Sequence, residues 1–257
     1  MAGNCAGQRG GKRWCGGGRP IAHTGSECQS YALISDAVTH IKMACGDRKA
    51  AARIAILDPL LTLSQPPRIT RLTGMDAISH AVESAVCTRR TEISVAYSRA
   101  AFTMLATAFP QVLREPDDVE ARAAMQLGAA LAGTAIENSM LGAAHSAANP
   151  LTAHFGTVHG EAVGMMLPHI VEYNAGTPSA AEEYQRLTAA GTGTLHDNLT
   201  ELLYLAGLPA FMPTGTLSDE NLPQLAAEAA AQWTAQFNPR PVSADDFAAF
   251  YRRVTAP

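Results

Sequence analysis

The sequence has few charged residues, no strongly basic segment and no long apolar run, and each shortage excludes a class of protein. Charged residues make up 16% of the 257 residues and the formal net charge is −4, so nothing indicates a nucleic-acid-binding face. The longest apolar stretch is interrupted by Glu137 and Asn138, which excludes a membrane-spanning helix there. Hydrophobic residues make up 47% of the chain, which is too many for a disordered protein.

Paired cysteine motifs and a secretory signal are also absent from the sequence. The five cysteines include no C-x-x-C pair, and their odd number favours reduced thiols over a disulfide framework. The N-terminus has no apolar stretch of the kind found in signal peptides. We therefore expect a soluble, cytoplasmic protein that binds neither nucleic acid nor membranes.

The chain divides into three regions by composition. Residues 1–19 are rich in glycine with almost no aliphatic side chains, which predicts a disordered tail. In residues 20–65, the alternating stretches YALISD and THIKMACGD predict a short hairpin, and the apolar run ARIAILDP predicts a buried strand. From residue 66 to residue 257, apolar residues recur at helical spacing. The predicted fold is therefore mainly α: a helical bundle preceded by a short strand-containing segment.

Helical spacing and propensity single out eight segments of the third region. Asp219 and Ser243 are the predicted N-caps of the last two helices, and Pro168 is predicted to kink the fourth. The segments are PPRITRLTGMDAISHAVESAV, TEISVAYSRAAFTMLATAF, VEARAAMQLGAALAGTAIENSML, GEAVGMMLPHIVEYN, AAEEYQRLTAA, LTELLYLAGL, LPQLAAEAAAQWTAQF and ADDFAAFYRRV.

Four residues form a candidate metal site. Asp76 and His80 are four residues apart, so a helix places them on one face, one turn apart. His145 and His159 bracket the stretch HSAANPLTAHFGTVH. One carboxylate and three imidazoles suit Fe(II) or Zn(II), and the lack of thiolates argues against a closed structural zinc site. A lone Asp-x-x-x-His pair is more often a solvated pair, and His145 could equally be a core histidine. However, the surrounding sequence is rich in alanine and glycine, where buried ionisable groups need partners or a metal.

The same segments resemble the iron-containing (group III) alcohol dehydrogenases. The resemblance rests on TGMDAISHAVES and NSMLGAAHSAANPLTAHFGTVHGEAVGMMLPHIVEYN, and it extends from about residue 20 through HTGSECQSYALISDAVTHIKMACGD and IAILDPLLTLSQPP to FNPRPVSADDF. It implies a dehydroquinate synthase-like helical domain that follows the remnant of an α/β nucleotide-binding domain. It also implies that Asp76, His80, His145 and His159 are the metal ligands, and that the protein is a homodimer.

The resemblance also implies a reaction and its cofactors. Members of the family transfer a hydride between a nicotinamide ring and an alcohol or aldehyde carbon, and the metal acts as a Lewis acid on the substrate oxygen. The implied cofactors are Fe2+ or Zn2+ and NAD or NADP, and the substrate is an alcohol, aldehyde or ketone. Thr24, Ser26 and Lys42 match family positions that contact the dinucleotide.

The sequence departs from the family pattern in three ways. We expect most of the nucleotide-binding domain, with its glycine-rich loop and ribose-binding acidic residue, to be missing. The stretch Pro20-Ile21-Ala22-His23 stands where the family has Thr-Thr-Ala-Gly. Asn149 stands where many members have a histidine that could relay protons; asparagine does not titrate, so water or another group, such as the nearby His154, would be needed.

These departures leave three functional hypotheses. The first is an iron-dependent, NAD(P)-linked alcohol dehydrogenase. The second is a truncated metal-binding domain whose dehydrogenase activity is impaired because the dinucleotide is poorly held. The third is a metal-dependent hydrolase, which is disfavoured because no spare glutamate or histidine is expected beside the ligands, Glu161 being the nearest.

Overall fold

The computed structural model describes residues 25–35, 42–188 and 193–255, and the statements below refer to these residues. Strands β1 (Tyr31–Ser35) and β2 (Lys42–Gly46) pair antiparallel, in a register that runs from Tyr31 opposite Gly46 to Ser35 opposite Lys42. The hairpin predicted from the alternating pattern is therefore confirmed.

Helices account for most of the described chain. After a 3-10 turn at Pro59–Thr62, nine α-helices follow within the described ranges. The mainly helical fold is thereby confirmed, and none of these helices is long and apolar enough to cross a membrane. The helices are α1 Pro67–Val86, α2 Glu92–Arg114, α3 Val119–Glu137, α4 Ala143–Phe155, α5 His159–Asn174, α6 Pro178–Thr188, α7 Leu195–Leu205, α8 Leu222–Ala230 and α9 Ala244–Arg253.

One of the two predicted N-caps is found at the start of its helix. The Ser243 side chain accepts a hydrogen bond from the backbone N–H of Asp246, so the predicted cap of α9 is confirmed. The Asp219 prediction is wrong, because α8 begins after Asn221 and has no side-chain cap. Asn221 is instead bonded to the turn before the helix, and Pro223 near the helix start removes one of the N–H groups that a cap would satisfy.

The apolar run ARIAILDP is not a buried strand. Residues 53–58 form no strand, and Ile54 and Ile56 are 80% and 84% exposed. A strand is stabilised by ladder hydrogen bonds to a neighbour, and the one sheet among the described residues is the two-stranded hairpin. The predicted strand is therefore wrong, because the described residues include no neighbouring strand with which this segment pairs.

Helix α4 was not among the eight predicted helical segments. It contains Pro150, which lacks the N–H that an interior helical position normally donates. Packing outweighs this loss, since most of the helix is buried against its neighbours. Helix α5 likewise continues through Pro168 as one element, and the predicted kink there stays a prediction.

Helix α1 lies at the centre of the bundle and packs against α2, α3 and α5. Two glycines bring α5 close to it. A Cβ atom on Gly160 would lie 2.2 Å from the carbonyl oxygen of Leu72, and one on Gly164 would lie 2.7 Å from the Met75 side chain. Glycine at these two positions therefore allows the N-terminal end of α5, which carries His159, to approach α1 closely.

Candidate metal centre

One face of α1 carries three buried polar side chains at intervals of one turn. Asp76, His80 and Glu83 are 8%, 7% and 4% exposed. Their spacing of four and three residues places them in a row along the helix. Asp76 and His80 were predicted from their spacing, and the same helical spacing could have identified Glu83.

Helices α4 and α5 supply the other two predicted ligands. His145 is the third residue of α4 and His159 is the first residue of α5. Between these helices the chain turns at Gly156, whose φ of 67° is left-handed and favours glycine. Both imidazoles face α1 as a result.

The three predicted histidine ligands converge on one carboxylate oxygen of the fourth, Asp76. Asp76 Oδ1 lies 3.5 Å from His80 Nε2, 3.6 Å from His145 Nε2 and 3.6 Å from His159 Nε2. Atoms that share one ion tetrahedrally with bonds of about 2.1 Å are about 3.4 Å apart. The three separations therefore suit shared coordination of one metal ion. The ligand atoms of Asp76, His145 and His159 also lie within 4.8 Å of one another, and His80 is placed beside this group by its distance to Asp76.

The polar atoms at the centre of this cluster fit a metal better than a hydrogen-bond network. Asp76 Oδ1 and His145 Nε2 are buried and have no hydrogen-bond partner among the described residues. Leaving such groups unsatisfied costs about 1–3 kcal/mol each. A divalent cation would satisfy both atoms, so the residues present fit the group that the sequence implies.

The carboxylates and imidazoles of the cluster shift one another's pKa values. Burial alone would raise the pKa of Asp76, but the neighbouring His80, His145 and His159 outweigh this effect and hold that pKa well below its usual range. Burial alone would lower the pKa of His145, but Glu83 and Asp76 outweigh it and raise that pKa to about 9. A metal binding at His145 would therefore have to displace a proton.

Glu83 lies against the predicted ligands, although it was not among the residues predicted from the sequence. One carboxylate oxygen contacts His145 Nδ1, and the other accepts a hydrogen bond from the backbone N–H of Ala144 at 2.7 Å. The expectation that Glu161 is the nearest carboxylate beside the ligands is therefore wrong, because Glu83 itself contacts a predicted ligand. Glu161 pairs with Arg68 at 3.7 Å. Glu83 still offers no base to a hydrolase, because it lies on the side of the ring away from Nε2 and both its oxygens are engaged.

Two further side chains on α4 bear on proton transfer. Asn149, one turn after His145, donates a hydrogen bond from Nδ2 to Gln232 Oε1 at 3.0 Å. His154 is exposed, and its Nε2 lies 2.7 Å from Glu228 Oε2. His154 is thus a surface histidine that is paired with Glu228.

Of the three predicted dinucleotide contacts, the structure shows one side chain. Thr24 lies outside the described residues, and Lys42 is described only as the first residue of β2. Ser26 is exposed and begins the 3-10 turn Ser26–Cys28. This turn lies against α3, where a Cβ atom on Gly133 would be 2.1 Å from the carbonyl oxygen of Gly25.

A second cluster of possible metal ligands lies on α5 and α7. His169, Glu172 and His196 each offer a ligand atom, and these atoms lie within 4.8 Å of one another. The Glu172 carboxylate is already paired with Arg253, whose Nη2 lies 2.5 Å from Oε2. The sequence analysis did not identify this cluster.

The sequence profile of the Fe-containing alcohol dehydrogenase family, C-terminal region, matches residues 70–255 of this chain. The chain belongs to the iron-containing alcohol dehydrogenase family. The match begins close to the start of α1, and it covers Asp76, His80, His145 and His159.

Relatives and solved structures agree with this membership. The chain is 30% identical to the NAD-dependent methanol dehydrogenase of Bacillus methanolicus, over 88% of this chain and 62% of that protein. It is 32% identical to the 1-propanol dehydrogenase PduQ of Salmonella typhimurium, over 86% of this chain and 64% of that protein. The chain therefore spans a little under two thirds of the length of these relatives.

Two solved structures share the fold of this chain. A 1,3-propanediol oxidoreductase matches with a TM-score of 0.83 and 26% identity, over 91% of this chain and 64% of that one. The sulfoacetaldehyde reductase of Bifidobacterium kashiwanohense, solved in complex with NAD+, matches with a TM-score of 0.85 and 25% identity, over 92% and 64%.

Proposed function

We propose that this chain carries the metal-dependent catalytic domain, at residues 66–257, of an NAD(P)-linked alcohol dehydrogenase. The reaction is hydride transfer between an alcohol and its aldehyde or ketone. The observation that carries the proposal is the convergence of three imidazole nitrogens at 3.5–3.6 Å on Asp76 Oδ1, in a member of the iron-containing alcohol dehydrogenase family.

Each side chain of the site has a distinct part in this proposal. Asp76 supplies the negative charge that offsets the cation, and His80, His145 and His159 supply neutral nitrogen ligands. A bound Fe2+ or Zn2+ would supply Lewis-acid polarisation of the substrate oxygen.

The burial of the ligands suggests the direction from which the substrate arrives. The His145 side chain is 5% exposed, whereas that of His159 is 24% exposed. Because His159 is the most exposed ligand, the substrate approaches on its side of the cluster. Asp76 and His145 lie deeper and exclude water from the opposite side.

Thr24, Ser26 and Lys42 are the proposed contacts to NAD or NADP. Their support comes from the family positions that they match, from a relative named as an NAD-dependent methanol dehydrogenase, and from the structural neighbour solved in complex with NAD+. Asn149 cannot accept or release a proton, so we propose that the alcohol proton leaves through water.

A small alcohol is the proposed substrate class. Three of the relatives and neighbours are named for methanol, 1-propanol and 1,3-propanediol, all of which are short, whereas another is named for sulfoacetaldehyde. Cytoplasmic location and assembly as a homodimer stay predictions.

The test is a titration of NAD(H) and NADP(H) into iron-loaded protein by calorimetry, followed by turnover assays with short alcohols. We expect one metal per chain, binding of a nicotinamide cofactor and alcohol oxidation that a His159→Ala variant loses. Metal binding without cofactor binding would instead support the second hypothesis, a metal-binding domain with impaired dehydrogenase activity. Ester or amide hydrolysis by the metal-loaded protein would support the hydrolase.

A further inference from the structure

We propose that Glu83 is a positioning residue for the metal site, because it determines which nitrogen of His145 faces Asp76 and holds that ring in place. This inference rests on the proposed function, since it concerns the affinity of the same site for its metal. The Glu83 carboxylate contacts His145 and the backbone N–H of Ala144, both on α4. Its effect would be exerted through His145.

The burial of Glu83 requires partners, and both partners are on α4. The residue is 4% exposed, and among the described residues no lysine or arginine forms an ion pair with it. A buried carboxylate is costly unless it is hydrogen-bonded or paired. Its hydrogen bonds go to the Nδ1 side of His145 and to the backbone N–H of Ala144.

The contact with Nδ1 sets the orientation of the imidazole. A carboxylate accepts hydrogen bonds, so Glu83 favours a proton on Nδ1 and leaves Nε2 available on the other side of the ring. That nitrogen is the atom that lies 3.6 Å from Asp76 Oδ1. If the imidazole of His145 turned over, a ring carbon would face the Glu83 carboxylate, and the hydrogen bond between Glu83 and Nδ1 would be lost. Partners of this kind typically contribute 10–100-fold to metal affinity.

Both carboxylate oxygens are needed, which explains why the residue is a glutamate. Each oxygen faces an N–H donor, one from the ring and one from the backbone. Glutamine has nearly the same shape but only one acceptor oxygen, and its NH2 group would face a donor. Glu83→Gln therefore removes one of the two hydrogen bonds without removing the bulk of the side chain.

The start of α4 provides a matched control. Its first backbone N–H, that of Ala143, donates to Asn238 Oδ1 at 3.2 Å, and its second donates to Glu83. Asn238 thus anchors the same helix end as Glu83 does, but it makes no contact with His145. Asn238 also exchanges hydrogen bonds with Asn174 and donates one to the backbone carbonyl of Arg240. Asn238→Ala therefore measures the loss of these bonds together with the anchoring of α4, whereas Glu83→Gln measures anchoring together with ring orientation.

The experiment compares wild-type protein with the Glu83→Gln and Asn238→Ala variants. Zn2+ affinity is measured by competition with a chelator, and thermal unfolding is measured without metal. We expect Glu83→Gln to weaken Zn2+ binding by about 10–100-fold and Asn238→Ala to leave it near the wild-type value, although both lower the Tm. Equal Zn2+ affinities in all three proteins, or equal losses in the two variants, would overturn the inference.

A further measurement on wild-type protein keeps the inference testable if Glu83→Gln does not fold. In zinc-loaded wild-type protein, the Nδ1 proton of His145 should give a strongly downfield 1H resonance coupled to 15N, as expected for a hydrogen bond to a carboxylate. The absence of this resonance would overturn the inference. If wild-type protein binds no metal, the proposed function fails together with the inference, whereas a failure confined to Glu83 leaves the proposed function intact.

Discussion

Two clusters of histidine and carboxylate side chains lie in this helical bundle, and their carboxylates differ in what neutralises them. Asp76 is surrounded by three imidazoles and has no lysine or arginine partner among the described residues. In the second cluster Glu172 forms an ion pair with Arg253 at 2.5 Å, and His196 also lies 3.3 Å from Asp197. Residue types alone do not separate the two groups, since each contains histidines and a carboxylate.

The difference in charge balance is accompanied by a difference in burial. The Asp76 side chain is 11% exposed, whereas that of Glu172 is 55% exposed. A buried carboxylate needs a specific counter-charge, while an exposed one is solvated and gains little from any partner. We infer that a cation completes the first cluster and that Arg253 already occupies the corresponding place in the second. The four predictions below test that contrast.

The largest effect is expected at His145. Its replacement by alanine removes a buried ligand and leaves Glu83 buried without its imidazole partner, so metal content should fall from one ion per chain to near zero. Elemental analysis after dialysis checks this result. His154→Ala is the matched control, because this histidine is exposed and lies on the same helix. Metal retained in the His145→Ala variant would show that the cluster is not the metal site.

Removing the metal should lower stability by a smaller amount. Because the ligands converge only in the folded state, metal at a hundred times its Kd should add about 2.7 kcal/mol to the free energy of unfolding. Denaturant titrations of metal-free and Zn2+-loaded protein measure this difference. His80→Ala should abolish most of the gain. A gain that persisted in this variant would show that Asp76, His145 and His159, whose ligand atoms lie within 4.8 Å of one another, hold the ion without His80.

The second cluster should titrate in mildly acidic solution. Burial, with a smaller contribution from Arg253, lowers the pKa of His169 from 6.5 to about 4. The unfolded chain therefore binds a proton more readily than the folded one, and stability falls as the pH drops from about 6.5 to about 4. The loss is about 1 kcal/mol after allowance for solvent screening.

His169→Asn isolates this contribution, since asparagine is uncharged throughout the range. The free energy of unfolding of metal-free protein is measured at several values of pH between 4 and 7. The variant should show a shallower decline than wild-type protein. Identical slopes in the two proteins would mean that His169 does not titrate as its surroundings indicate.

The sequence was most informative where the signal is local or chemical. Asp76 and His80 could be paired because a helix repeats every 3.6 residues, and the donor types of His145 and His159 suggested the remaining ligands. The contacts of Glu83 with Ala144 and His145 join residues that are separated by 61 and 62 positions in the sequence. Helical spacing could therefore identify Glu83 as a candidate, but it could not show what Glu83 binds.

The strand predicted at residues 52–59 and the unpredicted helix α4 differ from expectation for the same physical reason. Apolar composition at Ile54 and Ile56 indicates a preference for burial, but it does not reveal whether a neighbouring strand exists. Helix α4 was missed because Pro150 is unfavourable locally, whereas packing of the whole helix decides. In both places tertiary context, which one sequence does not contain, outweighed the local signal.

The smallest expected effect is at the second cluster and completes the contrast. Glu172→Gln removes the carboxylate and His196→Ala removes one imidazole, so a metal site here would lose two of its three donors in the double variant. Because Arg253 already neutralises Glu172 and places a positive charge beside any incoming ion, we expect the double variant to bind as much metal as wild-type protein. Elemental analysis and Zn2+ titration check the stoichiometry. If wild-type protein bound two ions per chain and the double variant bound one, an arginine ion pair would not prevent metal binding. The two clusters would then differ in burial alone.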